Sequence, residues 1–471
     1  MADYPRDLVG YGRNRPHVRW PGEARVAVQF VVNYEEGGEN NILHGDEASE
    51  AFLSEIVGAQ PWSGQRHMNM ESIYEYGSRV GFWRLHRLFS ERAIPVTVFA
   101  VATAMARNPD AVSAMKEAGW EIASHGLKWI EYRNFSAEHE RRHIADAVRV
   151  HTEIAGQRPE GFYQGRTSCQ TLALTVEEGG FLYSADSYAD DLPYWANVGG
   201  RDQLVVPYTL DANDMRFATA QGFNSGDQFY AYLKDSFDTL YAEGATAPAM
   251  LSVGLHCRLV GRPGRAAALA RFLDYVRAHQ HVWVARRVDI ARHWIKYHPP
   301  AGGYRPSRMG RALFLAAFGD VFEHSPHIAE RAHARGLDAR HDTAEGLHGA
   351  LVAAMRAMSA QEKHALILAH PDLAGRLALA KQMTADSVRE QGSAGLDRVT
   401  PEELRKFTTF NDAYRSRFGF PFIMAVKGAS KEAILEAFER RLAHTPEVEF
   451  EEALRQIERI VMLRLQDRLP A

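Results

Sequence analysis

The stretch EIASHGLKWIEY, residues 121–132, places a histidine where an α/β enzyme often carries its chemistry. His125 follows small and apolar residues that indicate the end of a buried strand, and Gly126 breaks the chain directly after it. A metal site on such a turn would need a second imidazole about one helical turn later, but the residue there is Trp129. Three interpretations stay open: a metal site, a site that has lost its metal, or a strand that ends in histidine.

Polar side chains recur at the ends of other predicted strands in the first part of the chain. They are Asn33, Glu35 and Glu36, then Arg166 and Ser168, Asp186 and Asp190, and finally His256 and Arg258. If these ends meet at one rim, the acid, histidine and arginine groups form the inventory of a hydrolase. The alternative is that each residue only caps its own strand or turn.

His139 and His143 also have metal-ligand spacing, four residues apart on a predicted helix. They stand among Glu138, Glu140 and Arg141 in a run typical of a solvated helix face, with no third ligand at a useful spacing. We therefore do not expect a metal site at this pair.

The C-terminal part of the chain holds a second group of polar and aromatic motifs. ILAHPDLAG ends one predicted helix at His370 and starts another at Pro371, which suits a first turn. SVREQ puts Ser387, Glu390 and Gln391 on one helical face. In residues 411–428 the aromatic, Pro-interrupted run FGFPFIMAV leaves backbone amides that cannot all pair within a helix. Taken separately, each of these motifs has a purely structural explanation. The histidine would end a helix, the polar residues would form a solvent-exposed helix face, and the aromatic run would pack in the core.

The predicted elements that would position these residues fall into two parts. Short apolar runs alternate with amphipathic helices over residues 1–298, which favours a (β/α) barrel with functional groups at the strand ends. The predicted strands are residues 25–33, 95–101, 120–124, 161–163, 203–208, 250–256 and 282–287. Residues 299–310 have linker composition. Residues 311–471 have helical periodicity nearly throughout, so we expect an all-α second domain.

The composition excludes several classes of protein. With 471 residues, two or three domains are expected, and a net charge of −4 gives no reason to expect a nucleic-acid partner. The opening residues do not read as a signal peptide, and no apolar run approaches the roughly 20 residues that span a membrane. The two cysteines, Cys169 and Cys257, are too few for a disulfide framework or a thiolate zinc site. We therefore expect a cytoplasmic protein.

Together, the C-terminal motifs resemble those of the OHCU decarboxylases, which process 2-oxo-4-hydroxy-4-carboxy-5-ureidoimidazoline in urate degradation. The similarity covers roughly residues 318–465, with FEHSPHIAERA, HPDLAG, SVREQGSAGL, FNDAYRSRFGFPFIMAV and RLQDRL in order. The resemblance implies an all-helical domain that makes (S)-allantoin without a metal or organic cofactor. No obvious counterpart of the family's usual opening helix precedes FEHSP, where the linker stands instead.

Carried over by position, the resemblance implies that His370 is the acid/base group at the carbon that loses carbon dioxide, with Glu390 beside it in the catalytic pocket. The residues implied for substrate binding are Pro371, Ser387, Gln391, Phe422, Ile423, Met424, Ala425, Val426 and Arg464. The chemistry suits these residue types, because the adjacent imine and carbonyl delocalise the electron pair and no cofactor is needed. The protein must add fixed hydrogen bonds and stereospecific protonation, and a positioned acid is typically worth about 10²–10⁴-fold.

The first part of the chain, from about residue 4 to residue 298, resembles the polysaccharide deacetylase-like superfamily and, within it, the cofactor-independent allantoinases. The motifs include YPRDLVGYGRNRPHVRWPGEARVAVQFVVNYEEGGEN, ASHGLKWIEY, ADSYADDLPYW and LHCRLVGRPGRAAALARFLDYV. Deacetylases of this superfamily bind a metal through an aspartate and two histidines four apart. This chain has Glu35–Glu36 and the pair His125 and Trp129 at the corresponding positions. The resemblance therefore implies hydrolysis without a metal.

Opening the allantoin ring without a metal requires a general base and donors that hold the oxyanion. We expect Glu36 with His125 or His256 to act as base and acid, and Arg166 to contact the substrate or the oxyanion. Glu35 and Trp129 are expected to line the site.

The two resemblances predict a bifunctional ureide-pathway enzyme, because one domain would make (S)-allantoin and the other would hydrolyse it to allantoate. We expect no cofactor, no membrane partner, small-molecule ureide substrates and self-association into a homo-oligomer. Two alternatives stay open for the barrel: a metal-dependent deacetylase or cyclic-imide hydrolase, and a non-catalytic binding scaffold.

Overall fold

The structure is a computed structural model that describes residues 6–56, 58–373, 390 and 400–470. The chain divides into two compact units, Met1–Tyr297 and His298–Ala471. None of the helices in the described ranges is long and apolar enough to cross a membrane.

The described residues of the first unit form a nine-stranded, curled sheet with helices packed on it. The strands are β1 (Val26–Tyr34), β2 (Thr97–Ala100), β3 (Glu121–Ser124), β4 (Gly161–Phe162), β5 (Tyr183–Ser184), β6 (Tyr194–Val198), β7 (Arg201–Val205), β8 (Ala249–His256) and β9 (Val282–Val284). Their order is β6-β7-β5-β4-β3-β2-β1-β8, and β9 also pairs with β1. The expected deformed (β/α) barrel is therefore confirmed as a curled half-barrel. The short β5 and the edge strand β6 were not predicted, because neither has a long apolar run.

The helices of the first unit are α1 (Met68–Tyr76), α2 (Phe82–Ser90), α3 (Ala102–Arg107), α4 (Pro109–Glu117), α5 (Ala137–Ala155), α6 (Thr171–Glu178), α7 (Gly226–Glu243), α8 (Pro263–Arg277) and α9 (Arg287–Tyr297). A π-helical turn, Gly77–Gly81, joins α1 to α2. All nine residues of β1 are buried, as expected for a parallel strand covered on both faces.

Strand register brings the ends of β1, β3 and β8 to one level. β1 pairs in parallel with β2 and β8, so that Tyr34 lies opposite Ala100 and Asn33 lies opposite His256. β2 pairs in parallel with β3, and Ala100 lies opposite Ser124. The residues that follow these strands therefore leave the sheet side by side.

The second unit is helical in its described residues, so the expected all-α fold is confirmed. Its helices are α10 (Arg311–Phe318), α11 (Pro326–Ala334), α12 (Ala344–Arg356), α13 (Ala360–Leu368), α14 (Pro401–Phe418), α15 (Lys431–Leu442) and α16 (Pro446–Gln466). A helix, α10, does precede the FEHSP motif, where the sequence showed no obvious counterpart. Part of the predicted linker is also packed: Tyr304 is buried, and Ser307 donates from its amide and hydroxyl to Asp342.

Gly81 allows the α1–α2 turn to approach the loop after β8. A Cβ placed on Gly81 would lie 2.0 Å from the carbonyl oxygen of Cys257, and a Cβ on Gly261 would lie 2.6 Å from the Cα of Gly81. The neighbouring atoms are backbone, so a side chain cannot be accommodated by a rotamer change. This close approach fixes the segment that carries Arg258.

We predict that Gly81→Ala lowers the free energy of unfolding of the first unit by about 1–3 kcal/mol, because the added methyl overpacks against main chain. Gly264→Ala is the matched control, since a Cβ at this helical glycine meets no atom within 4 Å. Denaturant unfolding of both full-length variants measures the difference. Equal stabilities would show that the close approach is not a constraint.

Candidate functional sites

Three strand-end residues of the first unit meet around one carboxylate. Glu35 follows β1, His125 follows β3, and His256 ends β8. Oε1 of Glu35 lies 3.3 Å from Nε2 of His125 and 3.5 Å from Nε2 of His256. All three side chains are buried, and Glu35 and His125 are each only 1% exposed. Three of the predicted strand-end residues thus converge, with Glu35 at the centre.

Two further charged residues complete this cluster. Nη1 of Arg258 donates to Oε2 of Glu35 at 2.6 Å, and its Nε donates to the carbonyl of Leu53 at 3.1 Å. Asp214 accepts from Nδ1 of His256 at 2.6 Å, and its other oxygen accepts from the His256 amide at 2.7 Å. Arg258 and Asp214 are completely buried, so their charges interact with little screening by solvent.

The protonation states follow from these contacts. Burial opposes the charge of Glu35, but Arg258, His256 and the hydrogen bond from His125 outweigh it and hold its pKa well below the usual range. Burial likewise opposes the charge of His256, yet Asp214 and Glu35 raise its pKa to about 9. His256 is therefore an imidazolium at neutral pH. Because an ionised carboxylate only accepts hydrogen bonds, the contact with Glu35 places the proton of His125 on Nε2.

Glu36 also lies near Arg258, with its Oε1 3.7 Å from Nη1 of that arginine. Its carboxylate accepts from the amides of Glu35, at 3.1 Å, and of Arg258, at 3.2 Å, and it packs against Gly77 in the π-turn. Among the described residues, Glu35 rather than Glu36 contacts the two histidines. The assignment of Glu36 as base or acid stays a prediction.

Trp129 and Arg166 lie beside the cluster rather than within it. The Trp129 ring is buried, with the guanidinium carbons of Arg166 and Arg258 at 4.0 and 5.0 Å from its centroid. Arg166 also lies 4.8 Å from the Phe52 ring and pairs with Glu50 at 3.4 Å. Arg166 lines an open groove of about 760 Å³ that Glu50 and Phe52 also line. Arg166 therefore lines this groove and is not part of the cluster around Glu35.

The residues present do not fit a divalent metal ion. The carboxylate of Glu35 is already neutralised by Arg258, and His256 is held protonated between Asp214 and Glu35, whereas a metal ligand must be a free base. Among the described residues, no group of three or more His, Cys, Asp or Glu side chains has an arrangement that could hold a metal. The pair His139 and His143 has its rings 4.7 Å apart, and the His139 ring stacks on Phe135.

In the second unit, the predicted residues surround one cavity. Its lining comprises His370, Pro371, Leu373, Glu390, Phe422, Ile423, Met424, Val426, Ile460 and Arg464. These residues come from distant points of the chain, so only the packing of the helices brings them together. Ser387 and Gln391, also predicted here, lie outside the described residues.

His370 presents a neutral imidazole to this cavity. Its Nδ1 lies 2.9 Å from the carbonyl oxygen of Leu366, which can only accept, so the proton is on Nδ1 and Nε2 carries the lone pair. Burial lowers the pKa of His370 to about 4, although the bond to Leu366 and the charge of Glu323 oppose that shift. Nε2 is therefore a proton acceptor at neutral pH.

Arg464 is held between two acids at the cavity. Its Nε and Nη2 donate to the two oxygens of Glu390 at 2.8 and 2.9 Å, and Nη1 and Nη2 lie 3.3 Å from Oε2 of Glu323. Glu323 is completely buried. The predicted contribution of Arg464 to the pocket agrees with this placement, and Glu323 is an additional residue that the sequence did not single out.

The aromatic run forms an irregular segment along the cavity. The amide of Ala425 donates to Gln456 at 3.0 Å, and the carbonyl of Ile423 accepts from Arg441 at 2.6 Å. In the part of the chain that the structure describes, the amides of Phe422, Met424 and Val426 make no hydrogen bond to protein. The predicted free amides are therefore present, but that of Ala425 is not among them, and Ala425 does not line the cavity.

Asp214, Tyr74 and Arg441 also contribute to the sites without any local motif that points to them. Asp214 stands 42 residues before the histidine that it contacts. Tyr74 lies in an ordinary amphipathic helix, with its ring centroid 4.4 Å from the Arg258 guanidinium. Arg258 was present in the polar strand-end set, but nothing in the sequence distinguished it from its neighbours.

Comparison with known proteins agrees with this division. The OHCU decarboxylase family model matches residues 307–466, and the polysaccharide deacetylase model matches residues 70–179. The chain is 42% identical over 314 residues to a Schizosaccharomyces pombe protein named "Putative polysaccharide deacetylase", which covers 62% of this chain and 98% of that protein. It is 42% identical over 154 residues to the 2-oxo-4-hydroxy-4-carboxy-5-ureidoimidazoline decarboxylase of Halalkalicoccus jeotgali, covering 33% of this chain and 84% of that protein.

A solved structure gives a closer match to the first unit. The crystal structure of Puue allantoinase is 61% identical, covers 63% of this chain and 99% of its own, and has a TM-score of 0.62. The chain thus belongs to the polysaccharide deacetylase family through its first unit and to the OHCU decarboxylase family through its second, and it is a fusion of the two.

Proposed function

We propose that this chain catalyses two consecutive reactions of urate degradation. The second unit decarboxylates 2-oxo-4-hydroxy-4-carboxy-5-ureidoimidazoline to (S)-allantoin, and the first unit hydrolyses (S)-allantoin to allantoate. The convergence of His125, His256 and Arg258 on the buried Glu35 is the observation that carries the hydrolytic half. The decarboxylase half rests on the cavity that joins His370, Glu390 and Arg464.

In the decarboxylase site, the neutral His370 acts as the proton carrier. When carbon dioxide leaves, its electron pair forms a carbon–carbon double bond, the imine nitrogen takes a proton from solvent, and an enol results. The enol hydroxyl then becomes the ring carbonyl. Nε2 of His370 accepts the hydroxyl proton and returns it to the neighbouring ring carbon. The low pKa suits this role, because an imidazolium that is destabilised by burial gives its proton up readily. The unpaired amides of Met424 and Val426 bind the polar edge of the ring.

In the hydrolytic site, we assign His125 as the general base. Glu35 fixes the Nε2–H tautomer, so Nδ1 carries the lone pair, and this buried atom has no hydrogen-bond partner in the described residues. Glu35 is a weak base because its pKa lies well below the usual range, and His256 is already protonated. His125 therefore takes a proton from water as the water adds to the ring carbonyl. His256 then protonates the ring nitrogen as the carbon–nitrogen bond breaks.

Arg258 provides the positive charge at this centre. Its Nη2 and the hydroxyl of Tyr74 are buried donors without a partner among the described residues, and the two side chains are in cation–π contact. Unpaired buried donors are costly unless they serve a ligand. We assign both to the oxyanion that forms when water adds, which is the stabilisation a metal would otherwise supply.

The first test measures allantoate formation from (S)-allantoin by the full-length chain, before and after treatment with a chelator. We expect turnover that chelation does not change. Glu35→Gln and His125→Ala are expected to lower kcat by about 10²–10⁴-fold, while Glu36→Gln changes it less than tenfold. Decarboxylation by the same preparations serves as the folding control. A tightly bound zinc required for turnover would favour a metal-dependent hydrolase, and no allantoate at all would favour a binding scaffold.

The second prediction concerns pH. If His256 protonates the leaving nitrogen, hydrolysis should decline at high pH with a midpoint near 9, where the imidazolium is lost. Asp214 stabilises that imidazolium, so Asp214→Asn should move the decline toward lower pH. Asp211→Asn is the matched control, because Asp211 contacts Thr209 and Tyr232 instead. The pH profile of kcat/KM checks this, and an unchanged midpoint in Asp214→Asn would remove His256 from the acid role.

The third prediction concerns His370. With a pKa of about 4, the imidazole stays neutral down to mildly acidic pH, so kcat/KM for decarboxylation should fall near pH 4 rather than near 6.5. His370→Ala should lose the acceleration across the whole range and leave allantoin hydrolysis intact. Stopped-flow or coupled optical assays on freshly generated substrate measure both. A decline centred near pH 6.5 would contradict a buried, neutral His370.

A further inference from the structure

A buried polar network lies behind the irregular segment of the second unit. Glu449, in the first turn of α16, is completely buried and accepts hydrogen bonds from three side chains. Nε of Arg441 donates to it at 2.8 Å, Nδ1 of His444 lies 2.6 Å from its other oxygen, and the Tyr414 hydroxyl also donates to it. The network thus joins the ends of α15 and α16 to the middle of α14.

Such a network is costly to bury, and its members do not line the cavity. Removing two charges from water is repaid only when their remaining hydrogen-bonding groups are satisfied. Arg441 uses Nε and Nη2 on Glu449, and it directs Nη1 away from the network to the carbonyl of Ile423 at 2.6 Å. That bond connects the network to the main chain of the segment that borders the cavity.

Two side chains hold the backbone of the irregular segment, one at Ile423 and one at Ala425. Arg441 holds the carbonyl of Ile423, and Gln456 holds the amide of Ala425 at 3.0 Å. Met424, which lies between these two residues, lines the cavity.

The side chain of Phe422 is fixed by the same arginine. The guanidinium carbon of Arg441 lies 4.4 Å from the Phe422 ring centroid, and the opposing Phe438 ring stacks on it at 3.8 Å. Arg441 therefore constrains the segment twice, through the main chain of Ile423 and through the ring of Phe422.

We propose that Arg441 and Glu449 form a positioning pair for the decarboxylase site. This inference rests on the proposed decarboxylase function. Glu449 orients the guanidinium, and Arg441 sets the amides of the irregular segment at the distance from His370 that the substrate ring requires. Neither residue touches the substrate.

The test compares Arg441→Met, Arg441→Lys and Glu449→Gln with the wild-type chain at full length. A displacement of about 1 Å at a binding group can cost roughly 10²-fold, so we expect kcat/KM for decarboxylation to fall about 10- to 100-fold in Arg441→Met. Arg441→Lys should recover part of the loss, because an ammonium retains the charge but makes fewer of the bonds. The matched control is Arg440→Met, an exposed arginine adjacent on α15, which should behave as wild type.

Two measurements distinguish a loss of positioning by Arg441 from misfolding of the variant and from an error in the proposed decarboxylase function. Allantoin hydrolysis by the same preparation, with circular dichroism, reports on the intact chain. Hydrogen exchange of the Ala425 amide, which should become faster in Arg441→Met, reports on the segment without requiring turnover. If Arg441→Met does not fold, Arg441→Lys decides in its place.

The outcomes are distinct. Wild-type kinetics and wild-type exchange in a folded Arg441 variant would overturn the positioning pair. A wild-type chain that does not accelerate decarboxylation would overturn the proposed function, while the exchange measurement would still establish or reject the constraint on the segment.

Discussion

The first site depends on the burial of one negative charge. The carboxylate of Glu35 is removed from water, and it stays ionised only because Arg258, His256 and His125 surround it. Each of these partners acquires its own state from the same contact: Arg258 is held in place, His256 is held protonated and His125 is held in one tautomer. The removal of Glu35 would therefore change three side chains at once. The Asp214 carboxylate on the far side of His256 makes the arrangement symmetrical, since the imidazolium lies between two acids.

The positive charge beside Glu35 comes from a guanidinium of the protein, Arg258, and a guanidinium binds a carboxylate differently from a metal ion. A metal ion binds its ligands only when they are free bases, whereas a guanidinium shares the carboxylate through hydrogen bonds and keeps donors on its other nitrogens. Arg258 uses Nη1 on Glu35 and Nε on Leu53, and its Nη2 has no partner in the described residues. Arg258 thus supplies both the positive charge and a donor whose position the fold determines. In the proposed hydrolysis, Arg258 supplies the positive charge that a metal ion would otherwise provide.

The second site uses burial in the opposite sense. His370 is kept neutral, because its surroundings penalise the charged form more than Glu323 stabilises it. Two groups of buried ion pairs lie near this cavity. Arg464 contacts Glu390 and Glu323 at its wall, and Arg441 contacts Glu449 behind the irregular segment. In the proposed decarboxylation the substrate itself accepts the electron pair, and a neutral imidazole with unpaired backbone amides beside it suits that chemistry. Burial thus leaves a charged histidine, His256, in the first unit and a neutral histidine, His370, in the second.

The amino-acid sequence by itself determined the class and order of the two folds. The apolar runs specify strands such as β1 and β8, and the helical periodicity after the proline-rich stretch specifies an all-α second domain. It also identified His125, His256 and His370, because a histidine after a strand or before a proline stands out locally. Trp129 in place of a second imidazole also showed that the histidine pair of the metal-binding deacetylases is incomplete in this chain.

Only the tertiary structure decided which of the neighbouring acids joins the histidines. Glu35 and Glu36 are adjacent acids that the sequence does not distinguish. In the fold Glu35 contacts both histidines, whereas Glu36 accepts from the amides of Glu35 and Arg258. Asp214, Arg258 and Arg441 became functional candidates through contacts between residues far apart along the chain or between separate elements. Such contacts depend on register and packing rather than on local pattern. Protonation states depend on the same contacts, which is why the proposed roles of His125 and His256 could be divided only once their partners were known.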